Sequence, residues 1–172
     1  MGTPIREIIM EHAGGMEDGY QLRGFLPGGG STDFLTEQHL DLAMDYDTIG
    51  KAGSRMGTGT MIILDDKTCP VGFVKNLVEF FANESCGFCT PCRDGLPWTA
   101  QLLDDIERGQ GQPEDLQTLA TQVDFIGAIG NTHCALAPGA MEPLASGMKY
   151  FKEDFERHIS GRNCPWCDGG AE

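Results

Sequence analysis

The segment Cys86-Gly87-Phe88-Cys89-Thr90-Pro91-Cys92 constrains this chain more than any other feature. Two residues between successive cysteines let three thiolates converge on one inorganic centre from a tight loop. Gly87 allows close backbone approach, so that amide N–H groups can point at sulfur, and Pro91 fixes the chain where loop gives way to helix. A 4Fe-4S cubane needs a fourth thiolate, and such loops often take it from a remote cysteine. Cys134 is the only cysteine between the loop and the C-terminal pair Cys164/Cys167. Residues 93 to 133 are enough chain for two helices to run out and return. The rival is structural zinc, which usually joins two separated C-x2-C hairpins or mixes Cys with His. Cys86/Cys89 with Cys164/Cys167 would serve, but would leave Cys92 idle and join knuckles far apart in sequence.

The remaining cysteines carry weaker signals. The total of seven is odd, the cysteines are clustered, and no basic segment followed by an apolar one opens the chain. These features favour a cytoplasmic metalloprotein over a secreted disulfide scaffold. Cys69, alone before a helix, reads as a small core or surface residue. Cys164-Pro165-Trp166-Cys167 has metal-type spacing but only a short tail beyond it, and is expected to hold no metal. His133 reads as a packing or hydrogen-bonding neighbour of Cys134 rather than a ligand. Arg93 has two readings: neutralising an anionic cluster, or pairing with one of the many surface carboxylates.

Twelve Lys and Arg against 26 Asp and Glu give a formal charge of −14. Such a surface repels phosphate backbones and anionic lipid headgroups, which disfavours nucleic acid and membrane-surface binding. At 172 residues, 40% hydrophobic and 22% charged, the chain suits one domain or two small ones. No apolar run is long enough to span a bilayer.

The pattern predicts an α+β chain in two parts and a tail. Residues 1–70 form a small domain with a helix after Pro4 (Ile5, Ile8, Ile9 and His12 on one face) that stops at Gly14-Gly15. Strands follow at Tyr20–Leu26 and Thr60–Leu64. Pro27-Gly28-Gly29-Gly30-Ser31 reads as a turn, not a P-loop, and Gly57/Gly59 lack the remainder of a dinucleotide fingerprint. Residues 71–160 predict a four-helix bundle. Val71, Val74, Leu77, Val78 and Phe81 form the first stripe, and Leu96, Leu102, Leu103 and Ile106 the second, after Pro91. The third has Leu116, Leu119, Ala120, Val123 and Ile126 after Pro113, and the last covers Met148–His158. Asp104, Asp105, Glu114 and Asp115 read as a solvated helix face. Residues 161–172 are the tail.

The stretch Glu84 to Gly95, followed by Cys134-Ala135-Leu136, resembles the cluster-binding domain of the NADH-binding flavoprotein subunit of respiratory complex I. The same module occurs in diaphorase subunits of NAD-reducing hydrogenases and formate dehydrogenases. Gly2-Thr3-Pro4, Gly14-Gly15, Pro27 to Ser31 and Gly57-Thr58-Gly59 are similar to that family's SLBB domain, a β-grasp-like element. The resemblance spans residues 2 to 158. It implies the ligand set Cys86, Cys89, Cys92 and Cys134 for one 4Fe-4S cluster, relaying single electrons from FMN to the next iron–sulfur centre. It implies as partners a thioredoxin-like 2Fe-2S subunit and a further iron–sulfur subunit, on the cytoplasmic face of the membrane. The family's FMN- and NADH-binding domain has no counterpart here, so this chain alone is not expected to oxidise NADH, and no residue of it is expected to be catalytic. Pro138 and Gly139 depart from the family pattern. Of another class is the zinc-stapled interaction module.

Overall fold

A computed structural model describes residues 1–166, which fall into two compact units, 1–67 and 68–166. The architecture is mixed: seven helices and one small sheet among the described residues.

In the first unit, Pro4 precedes a single helical turn, α1 (Ile5–Glu7), that widens into a π-helical turn over Ile8–His12. Gly14 and Gly15 then take positive φ (87° and 78°) and stop it. Strands β1 (Leu22–Leu26) and β2 (Ile62–Asp65) pair antiparallel, with Phe25 opposite Ile63 and an irregularity between Leu22 and Gly24. On the other edge of β1, Phe25 exchanges both backbone hydrogen bonds with Leu35 (2.8 and 2.9 Å). Between the strands lies α2 (Tyr46–Lys51), whose N-cap Asp45 accepts from the Thr48 N–H. Phe25, Ile5, Ile9, Leu35, Leu40, Met44 and Ile49 make one buried cluster. Gly28 and Gly57 approach so closely that a Cβ on either would overlap the other's loop: on Gly28 the Met56 carbonyl, on Gly57 the Gly28 carbonyl. The two glycine-rich segments therefore close a turn against each other rather than cradle a phosphate.

The second unit is helical. α3 (Pro70–Asn83) starts with proline at its first position and buries Val71, Val74 and Val78, a 3–4 spacing facing mainly α4 (Leu96–Glu107) and α6 (Leu136–Tyr150). Each such valine stabilises the unit by about 1.5–3 kcal/mol relative to an exposed one. α4 follows a π-helical turn over Pro91–Gly95 and buries Leu96, Leu103 and Ile106; Leu102 is only half-buried. α5 (Pro113–Ile126) opens with a reciprocal capping box between Gln112 and Asp115. α7 (Lys152–Gly161) ends at Arg162 in the left-handed conformation.

Two expectations are corrected. The unit has five helices, not four: Leu136–Tyr150 is a helix of its own, and residues 148–158 divide between it and α7. Pro138, Gly139, Pro143 and Gly147 suppressed it in the sequence. Pro138 falls in the first turn, where backbone N–H groups lack intrahelical partners anyway. Gly139, Ala140, Pro143 and Gly147 are buried, so small residues serve close packing there. Asp104, moreover, is not solvated. Its side chain and that of Glu107 are 17% and 18% exposed, and Lys75 Nζ lies 3.1 and 2.5 Å from their oxygens. Lys75→Met removes the shared cation and leaves Glu107 beside Asp104, which keeps only Arg108 (3.0 Å). The expected loss is about 2 kcal/mol at neutral pH. A thermal melt at neutral pH checks it: an unchanged melting temperature would mean that the shared cation does not stabilise the helix pair.

Candidate metal centre

The two cysteine-bearing loops of the second unit meet. Cys86 and Cys89 follow the end of α3, Cys92 lies in the turn that leads into α4, and Cys134 stands two residues before α6. The His133 N–H points at Cys89 Sγ (3.3 Å), and the His133 ring sits edge-on to Phe88 with centroids 5.1 Å apart. His133 is thus a packing and hydrogen-bonding neighbour. Gly87 takes φ +78°, and its N–H goes to Ser85 Oγ (3.2 Å) rather than to sulfur. Ser85 Oγ in turn lies 3.1 Å from Cys92 Sγ. Toward a thiolate the hydroxyl must donate, because a thiolate has no proton to give. The sequence predicts amides on sulfur and His133 as a neighbour of Cys134, but not that the His133 amide would face Cys89 or that Ser85 would face Cys92, since neither pairing is fixed by local spacing.

Burial is graded across the loop: Cys92 is buried, Cys89 half-buried, and Cys86 and Cys134 are exposed. The start of α4, through its preceding turn, and the start of α6 both lie beside these cysteines, and helix N-termini favour an anionic group. Arg93 donates to both carboxylate oxygens of Asp94 (3.1 and 3.0 Å) and to the Gly87 carbonyl (3.3 Å). That bidentate pair holds Asp94 below the usual carboxylate range and Arg93 above its own. Arg93 thus makes a surface pair, with a loop-bracing bond added.

Cys164 is not with these loops. It lies beside Cys69 and His158, the group of three whose ligand atoms do fall within 4.8 Å among the described residues. Cys167 lies outside the described residues. Burial pushes the Cys69 thiol up to about 12, with the neighbouring Cys164 adding to the shift. A raised thiol is the reverse of an activated nucleophile.

Residues 72–158 match the sequence model of the NADH-ubiquinone oxidoreductase-F iron-sulfur binding region, and the chain belongs to that family. A 4Fe-4S cluster is therefore its cofactor. Among named relatives, the F subunit of the NADH-quinone oxidoreductase of Escherichia coli (strain K12) is 56% identical over 158 residues, covering 92% of this chain and 35% of the relative. Its counterpart in Streptomyces coelicolor is 46% identical over 166 residues, covering 96% and 36%. The chain thus spans about a third of the length of these curated relatives. An NAD+-reducing [NiFe]-hydrogenase in the H2-reduced state shares the fold, with a TM-score of 0.76 at 23% identity, covering 95% of this chain and 26% of that one. No helix among the described residues is long and apolar enough to cross a membrane.

Proposed function

We propose that this chain is the electron-transfer part of an NADH:quinone oxidoreductase flavoprotein subunit, with its cluster on Cys86, Cys89, Cys92 and Cys134. The packing of the 86–92 loop against the 132–134 loop carries the ligand assignment, because it brings the remote cysteine's loop to the triplet. Identity to quinone-reducing relatives favours that parent complex over a hydrogenase diaphorase, whose likeness at this identity is one of fold.

The cluster, when bound, accepts and gives single electrons. The residues around it do three things. Four thiolates hold it; Ser85 and the His133 amide lower the cost of charge on sulfur; buried Cys92 and exposed Cys86 and Cys134 set it at the surface of the unit, within reach of donor and acceptor. FMN and NADH belong to the remaining part of the larger subunit. A thioredoxin-like 2Fe-2S subunit and a further iron–sulfur subunit are the partners, and the placement is peripheral on the cytoplasmic face. The first unit, with its glycine turns and two-stranded pairing, is read as the SLBB-type domain.

Anaerobic purification with iron, sulfide and zinc analysis tests this reading. About four iron and four sulfide per chain, the stoichiometry of one cubane, are expected. Iron and sulfide at half that level, or none on chain kept free of oxygen, would reject it. Ser85→Ala removes a donor to Cys92 and should lower the midpoint potential by about 50 mV, taking a hydrogen bond to a charged sulfur as slightly over 1 kcal/mol. Potentiometric EPR reads the shift; a potential that stays put or rises means Ser85 does not donate to sulfur.

A further inference from the structure

Cys69, His158 and Cys164 belong to no part of the electron path above. The family match covers 72–158, and both cysteines lie outside it. Yet the fold brings three metal-ligand side chains from distant positions together, Cys69 and His158 being 89 residues apart.

We propose that Cys69, His158 and Cys164 bind a single zinc ion, separate from the iron–sulfur cluster, which ties the start of α3 to the end of α7. His158 is fully buried, and its Nδ1 lies 2.7 Å from the Asp154 carbonyl. A carbonyl only accepts, so Nδ1 carries the proton and Nε2 presents its lone pair. Nε2 faces Cys69 Sγ at 3.3 Å. On tetrahedral zinc, a thiolate sulfur and an imidazole nitrogen stand about 3.6 Å apart, from bonds of about 2.3 and 2.05 Å. The gap between the two side chains is already close to the gap that an ion requires.

The surroundings are those of a ligand set. The bond from Nδ1–H to a backbone carbonyl is the outer-shell contact that fixes tautomer and ring orientation in metal-bound histidines. The indole of Trp166 stacks on the imidazole, 5.8 Å between centroids and 11° between planes. The Gly72 N–H points at Cys69 Sγ (3.3 Å), a bond that a thiolate accepts far better than a thiol does. Cys69 is the N-cap of α3, at its positive end. Two thiolates and a neutral imidazole cancel the charge of Zn2+, so burying them together does not bury a net charge. Binding expels the two thiol protons. A mononuclear site, rather than a second cluster, follows from the tight spacing of all three donor atoms. The described residues supply three donors, Cys69, His158 and Cys164.

The test is metal analysis of the full, cluster-loaded chain after anaerobic purification and exchange against a weak chelator. One zinc per chain is expected in addition to the iron. His158→Gln and Cys69→Ser should each weaken zinc at least a hundredfold, leaving iron content and the reduced-state EPR signal unchanged. Wild-type chain produced in cobalt-supplemented medium guards against variants that fail to fold. It should show the intense visible bands of tetrahedral cobalt with thiolate charge transfer in the near ultraviolet. Zinc-free wild type, a Cys69–Cys164 disulfide by mass, zinc retained in both variants, or octahedral cobalt would each overturn the proposal.

Discussion

Cys134→Ala is expected to abolish the reduced-state EPR signal of the 4Fe-4S cluster and to drop bound iron from about four per chain to three or fewer. The residue is exposed and lies in the loop before α6, so the substitution removes no core volume. On the proposed ligand set, its Sγ is the donor that the triplet lacks. With three thiolates only, one iron of a cubane faces solvent and is lost first. The matched control is Cys69→Ala, which leaves iron untouched because Cys69 stands with His158 and Cys164. Full iron and an unaltered signal in Cys134→Ala would mean that another group completes the site. His133, which already touches the loop through Phe88 and Cys89, would then be the first to examine.

Phe25→Ala should have the largest effect on the first unit. The ring is wholly buried among Ile5, Ile9, Leu35, Leu40, Met44 and Ile49, and its backbone bridges β2 on one side and Leu35 on the other. Truncation costs about 3–5 kcal/mol through lost transfer energy and the cavity left behind. A unit of this size holds only about 3–10 kcal/mol in all. Native-state hydrogen exchange at the Leu35 amide, bonded to the Phe25 carbonyl, should therefore speed up by two to four powers of ten, taking about 1.4 kcal/mol per power. An acceleration below tenfold would show that the core around Phe25 closes over the gap or that other contacts hold the sheet. Phe25→Leu, which keeps most of the volume, should lie between the two.

Much of the fold was legible because it is locally encoded. Proline at the first helical position, apolar residues at 3–4 spacing and a glycine or capping box at the ends mark α3, α4 and α5 in the bare sequence. The strands sit within two residues of their expected limits, Leu22–Leu26 and Ile62–Asp65. α6 was illegible for a physical reason. Its Pro and Gly residues oppose helix by propensity, and only their burial against neighbouring helices makes small, rigid residues an advantage. Asp104 misled in the same way: a carboxylate on a helix looks solvated until the lysine that buries it is known, and Lys75 comes from another helix.

The metal chemistry divides along the same line. Three thiolates at x2 spacing define a cluster loop in one dimension, because the ligands share a single turn of chain and their convergence needs nothing distant. That much the amino-acid order determined, together with the family resemblance that names Cys134. Which loop would lie against the triplet, that Ser85 and His133 would face its sulfurs, and that Cys69, His158 and Cys164 would meet at all were decided by tertiary structure. Taken singly, each of those residues has an ordinary explanation as a cap, a core histidine or a tail cysteine. A ligand set drawn from opposite ends of a helical unit has no spacing rule, since the helices between set the distance, and only their packing brings the donors within reach of one ion.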